Sequence, residues 1–128
     1  MKKYKSGLLF GTFDPLHEGH ISLIRRAYDI CEKIYICMDD NELITLKGRS
    51  ASLPITERIK NIKSLRGVDL IGIESFKFPK DYWVKTFNPE VLIKGDDWVG
   101  KKWDGERLCK TIYLKHTKGI HSSNIEIR

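Results

Sequence analysis

Apolar positions along the 128-residue chain fall into two rhythms that take turns. Short runs dense in Leu, Ile, Val and Phe alternate with stretches in which apolar residues recur every three or four positions. The first pattern reads as buried strand and the second as amphipathic helix. Strands are therefore predicted at residues 5–10, 34–38, 70–73, 91–94 and 112–114, and helices at about 20–31, 54–65, 81–87 and 104–109. In the first helix Ile24, Ala27, Tyr28 and Cys31 form one stripe, while Arg25, Arg26 and Asp29 face water. Pro54 suits a first helical turn, and Asn88-Pro89 stops a helix before the fourth strand.

Strands alternating with helices imply a mainly parallel five-stranded sheet covered on both faces and linked by right-handed crossovers. The expected fold is a Rossmann-like α/β sandwich in a single domain, residues 1–128. Ligands in such sheets bind beyond the carboxyl ends of the strands, where the strand order reverses. Segments 11–20, 95–98 and 117–123 each follow a predicted strand, so all three are expected at that edge.

The first of these segments carries the most chemistry. Gly11-Thr12-Phe13-Asp14-Pro15-Leu16-His17-Glu18-Gly19-His20 leads from a strand into a helix, which aims free N–H groups and the positive helix end at one point. His17 and His20, three apart, lie on one side of that helix, where each can donate to phosphate oxygens. A zincin motif needs histidines four apart, and neither Gly-x-x-x-x-Gly-Lys-Ser/Thr nor Gly-x-Gly-x-x-Gly occurs. The segment reads as a nucleoside triphosphate site, and no residue is assigned as a metal ligand.

Composition narrows the classes further. With 41% hydrophobic and 31% charged residues, the chain matches soluble globular proteins, and no apolar run reaches the ~20 residues that span a bilayer. The start, Met1-Lys2-Lys3-Tyr4-Lys5, lacks the pattern of a secretory leader, so a cytoplasmic protein without membrane partners is expected. Cys31, Cys37 and Cys109 form no Cys-x-x-Cys pair and are expected as reduced core thiols. The net charge of +6 comes from 23 basic residues scattered along the chain, so nucleic acid is not the expected partner. It stays as a second reading, marked by affinity that grows with strand length and falls steeply with salt.

Three motifs carry a family resemblance over essentially the whole chain. His17-Glu18-Gly19-His20 fits a His-x-Gly-His signature, and Lys94-Gly95-Asp96-Asp97-Trp98 fits a Gly-Asp-Asp-Trp loop. His116-Thr117-Lys118-Gly119-Ile120-His121-Ser122-Ser123 sits where an Arg-Thr-x-Gly-Ile-Ser-Thr-Thr segment is found. The chain thus resembles the cytidylyltransferases within the nucleotidyltransferase superfamily, in particular the bacterial glycerol-3-phosphate cytidylyltransferases. The resemblance implies a homodimeric nucleotidyltransferase of that sandwich fold, using CTP, Mg²⁺ and a small alcohol phosphate, with glycerol 3-phosphate favoured. Another alcohol phosphate, adenylyl transfer, or nucleotide binding without catalysis are the alternatives.

Residue by residue, the resemblance implies that His17, His20, Lys47 and Arg58 serve the triphosphate and its reaction. Lys47 would act from a flexible segment after the second strand. Gly11, Thr12, Phe13 and Asp14 would line the nucleotide loop, with Gly95, Asp97 and Trp98 opposite. From the last motif, His116, Thr117, Ile120, His121 and Ser122 would complete the nucleotide site. Arg66 and Asp69, in an Arg-x-Val-Asp element, would face the alcohol phosphate. Two positions depart from the pattern: His116 replaces an arginine and His121 a serine, and a histidine is neither permanently charged nor bidentate. Only Ile127 and Arg128 follow the capping-box spacing at residues 123–126, so a shortened closing helix is expected.

Overall fold

The computed structural model describes residues 2–115, in which five parallel strands form one sheet in the order β3-β2-β1-β4-β5. Strand β1 is Tyr4–Gly11, β2 is Cys31–Asp39 and β3 is Val68–Glu74. Strands β4 (Val91–Gly95) and β5 (Thr111–Leu114) complete the sheet. Helix α1 (Glu18–Ile30) links β1 to β2, and α2 (Asn41–Leu46) and α3 (Ile55–Lys63) lie between β2 and β3. Helix α4 (Lys80–Phe87) precedes β4.

Alternation along the strands divides the core in two. Leu9, Ile34, Ile36, Met38, Val91 and Ile93 point to the face covered by α1 and α3. Leu8, Phe10, Cys37 and Leu92 point to the other face, where Trp103 covers them and Trp83 and Phe87 of α4 pack against the cluster. The central strands β1, β2 and β4 are buried on both sides over most of their length, which is why they read as apolar runs rather than strict alternation.

The predicted helix at 104–109 does not form. The segment is a series of turns, with Glu106 N bonded to Trp103 O and Leu108 N to Gly105 O. Gly105 explains this locally, since a Cβ there would sit 2.1 Å from the Trp103 ring, so the chain folds tightly around that indole. Helix α2 escaped the periodicity because its six residues are too few to show a stripe. Pro54 precedes α3 as its N-cap, and Cys31 is both the C-cap of α1, its N–H donating to Ala27 O, and the first residue of β2. Cys31 and Cys37 are buried free thiols, whereas Cys109 is only half-buried.

Asp69 lies at the amino-terminal edge of the sheet, where the β2–β3 register shifts between Ile34 and Tyr35. Its carboxylate accepts from the Ile34 amide at 2.8 Å, so it satisfies a donor beside the irregularity. Replacing Asp69 with Ala should lower the unfolding free energy by about 1 to 3 kcal/mol, read by urea denaturation.

Candidate functional site

The strand order reverses at β1, whose neighbours β2 and β4 lead away in opposite directions. A cleft of about 460 Å³ opens there, at the carboxyl ends of β1, β2, β3 and β4. Of the residues expected from sequence, Gly11, Thr12, Phe13, His17, His20 and Lys47 line it. Gly95, Asp97 and Trp98 line the β4 side of the same cleft.

His17 is the N-cap of α1: its Nδ1 accepts from Gly19 N at 3.1 Å, and His20 Nδ1 accepts from His17 N at 3.3 Å. This reciprocal pairing is a capping box built from two imidazoles. The rings stack with centroids 3.6 Å apart, and Phe13 meets His20 edge-on at 4.8 Å. With both Nδ1 atoms accepting, the neutral rings carry their protons on Nε2, so each presents one N–H donor. Burial, and then the neighbouring His17, pull the His20 pKa down to about 4. The helix starts at Glu18, two residues before the expected start, because this cap supplies acceptors for its first amides.

Gly11 and Phe13 are a matched pair. Phe13 takes a left-handed conformation, φ 50°, and its ring folds back so that a Cβ on Gly11 would lie 2.7 Å from it. That fold-back brings the ring against His20.

Lys47 sits at the C-cap of α2, after β2, and its Nζ lies 3.1 Å from Asp39 Oδ2. Asp39, which ends β2 and is 4% exposed, also accepts from Thr12 Oγ1 at 3.4 Å. Trp98 is 36% exposed, so it is a cleft wall and not a core tryptophan. The 3₁₀ turn Asp96–Trp98 that follows β4 presents it.

Four expected site residues take other positions. Arg58 is fully buried behind the cleft, where Nε donates to Leu53 O at 3.2 Å and Nη1 to Thr12 O and Asp39 O at 3.1 and 2.7 Å. Its Nη2 donates to Asn41 Oδ1 at 2.8 Å, which commits the guanidinium to the protein itself. Asp14 turns away to accept from the Ser52 and Leu53 amides at 2.6 and 2.7 Å, fastening the loop before α3. Arg66 and Asp69 belong to the opposite edge of the sheet, at the start of β3, because all strands run parallel. His116, Thr117, Ile120, His121 and Ser122 lie outside the described residues.

The sequence reading missed several cleft residues: Asp39, Arg49, Glu74, Lys80, Trp103 and Asp104. Lys94 lines the cleft too and had appeared only as part of a motif. Glu74 grips Lys80 Nζ at 2.8 and 2.9 Å, and Asp104 approaches the same ammonium at 3.2 Å. These partners raise the Lys80 pKa even though burial opposes them. Asp39 and Glu74 carried one available signal, since each is the acidic residue at the end of an apolar strand. Among the described residues no three His, Cys, Asp or Glu side chains cluster to hold a metal, and no helix is long and apolar enough to cross a membrane.

Residues 8–126 match the family model described as Cytidylyltransferase-like. The chain belongs to that family. It is 32% identical to a glycerol-3-phosphate cytidylyltransferase of Staphylococcus aureus, covering 95% of this chain and 92% of that protein. A Bacillus subtilis protein of the same name is 30% identical, covering 95% of each. A solved structure of a lipopolysaccharide core biosynthesis protein from Thermoplasma volcanium superposes with a TM-score of 0.75 at 18% identity, over 89% of this chain and 98% of that one. That likeness shows the shared fold. Family membership makes the chain a nucleotidyltransferase, and the cleft at the strand-order reversal is its candidate active site.

Two measurements check this account. Arg58→Ala should cost about 3 kcal/mol or more in urea denaturation, because it leaves several carbonyls without donors in the interior. His20 binds a proton less readily folded than unfolded, so its contribution is intact above pH about 6.5 and is lost as pH falls toward about 4. The drop in unfolding free energy between pH 7 and 4.5 should be smaller in His20→Asn than in the wild type.

Proposed function

We propose that this cytidylyltransferase moves CMP from CTP to sn-glycerol 3-phosphate, giving CDP-glycerol and pyrophosphate. Relatives of that name, matched over nearly their full length, support the acceptor. The observation that carries the chemistry is the pair of imidazole N–H donors fixed at the α1 N-terminus, facing a cleft that also holds Lys47.

An acceptor phosphate oxygen attacks the α-phosphorus of CTP in line. The bond to the bridging oxygen breaks as the new P–O bond forms, and its electron pair departs with pyrophosphate. No covalent enzyme intermediate is needed, so catalysis is positioning and charge stabilisation. His17 and His20 donate to the phosphate oxygens on which charge builds, and the helix end adds its dipole. Lys47 leaves Asp39 for the triphosphate, which offers more negative charge. Trp98 offers a stacking face to the base, and Asp97 offers acceptors to its amino group or to the ribose.

Among the described residues no three His, Cys, Asp or Glu side chains cluster, so a magnesium ion would arrive on the nucleotide. The buried carboxylate of Asp39 would be the protein group that helps hold it. When bound, the ion neutralises phosphate charge.

Pyrophosphate release should be greatest with CTP and glycerol 3-phosphate in a panel crossing four nucleoside triphosphates with glycerol, ribitol, choline and ethanolamine phosphates. Equal kcat/KM for CTP and ATP would refute the nucleotide assignment, and a better acceptor would refute the second substrate. His17→Asn keeps a capping acceptor but removes the Nε2 donor, so kcat should fall ~10²- to 10³-fold with Tm near the wild-type value.

A further inference from the structure

Among the described residues Lys94 is a half-buried cation of the cleft whose donors are unspent, whereas Arg49, on the same cleft, is exposed to solvent. Its Nζ lies 4.3 Å from the centroid of Trp98 and 4.6 Å from that of Trp103, held between two indole faces. Among the described residues it makes no hydrogen bond or ion pair. Lys80, in the same wall, has its ammonium committed to Glu74 and Asp104. Burial, and then the charge of Lys80, lower the Lys94 pKa, and the carboxylates of Asp104 and Asp97 oppose them without reversing the shift. Beside it the buried Trp103 Nε1 is a second donor without a partner. An unpaired charge held out of water costs free energy, and an oxyanion beside the Lys94 ammonium would relieve that cost.

Position says which oxyanion. Lys94 shares the strand parity of Leu92, so it faces the side of the sheet that Trp103 covers. His17 and His20 belong to α1, whose apolar side packs on the other face. In-line displacement requires the nucleophile and the departing pyrophosphate on opposite sides of the α-phosphorus. If the histidines hold the triphosphate, the attacking group enters from the Lys94 side.

We infer that Lys94, between Trp98 and Trp103, forms an oxyanion subsite that receives the phosphate of the acceptor. The inference rests on the transfer reaction proposed above, and it adds a specificity-determining residue.

Lys94→Met keeps the stem between the rings and removes the charge. In pyrophosphate-release assays it should raise KM for glycerol 3-phosphate at least about tenfold, with KM for CTP within about twofold of wild type. Binding is read separately from the indole N–H resonances on titration with inorganic phosphate. Those of Trp98 and Trp103 should move in the wild type and stay fixed in Lys94→Met. Trp83, whose Nε1 donates to Ile73 O and Phe78 O, is the internal control. If phosphate leaves Trp98 and Trp103 unmoved in the wild type, there is no subsite. If only KM for CTP rises, the oxyanion belongs to the triphosphate and the acceptor assignment falls. If glycerol 3-phosphate is not a substrate while phosphate still moves the two indoles through Lys94, the acceptor proposed above is wrong and the subsite stands.

Discussion

A buried guanidinium holds the candidate site together. Arg58 reaches out of α3 and donates to the carbonyls of Thr12, Asp39 and Leu53 and to the side chain of Asn41. Those four partners belong to the loop after β1, the end of β2, the loop before α3 and the start of α2. Three of the acceptors are main-chain carbonyls at places where regular structure stops, and the fourth is the Asn41 side-chain oxygen. A planar cation with a rigid fork of donors can satisfy them together, whereas an ammonium has fewer donors and no fixed plane. The charge is affordable in the interior because every acceptor around it is a strong dipole already desolvated by the fold.

From that anchor the active-site geometry follows by short steps. Thr12 O fixes the loop that carries Phe13, Phe13 folds back over Gly11, and its ring meets His20. The imidazoles then cap α1 through their Nδ1 atoms and keep Nε2–H for a ligand. On the other side Asp39 O is fixed by the same arginine, which sets the carboxylate that holds Lys47. Asp14 ties the loop before α3 to the loop after β1, so two segments 38 and 39 residues apart move as one.

The alternation of apolar runs was enough to read the sheet and three of the four helices, α1, α3 and α4, because apolar strand runs and amphipathic helices leave unlike signatures. The strand-to-helix segment with His17 and His20 was legible for the same reason: its function requires local geometry. Arg58, Asp14, Arg66 and Asp69 were placed through resemblance, and resemblance does not say whether a polar side chain faces a ligand or the backbone. Asp14 and Asp69 spend their carboxylates on amides, which depends on a loop closing at Ser52 and on a register shift at Ile34. Neither event leaves a periodic trace. The expected helix at 104–109 failed for a tertiary reason too, since the Trp103 ring occupies the space that a side chain at Gly105 would need.

Net charge misleads about the cleft in an instructive way. The chain carries +6, yet Lys47 is matched there by Asp39, and Lys80 by Glu74 and Asp104. Asp97 lines the same cleft as Arg49 and Lys94 and favours the charged form of Lys94. Anion affinity at such a site arises from which cations can change partners, not from a surplus of them. Lys47 is 38% exposed and holds one carboxylate oxygen, so transfer to a phosphate costs it little. Lys80 is buried with three carboxylate contacts and stays where it is. Lys94 starts from aromatic faces alone, which attract a cation far less than an oxyanion does in the same low-dielectric wall. The order in which these three lysines would yield to an anion is therefore set by their present partners, with Lys94 and Lys47 free to change partner at small cost and Lys80 held in the wall.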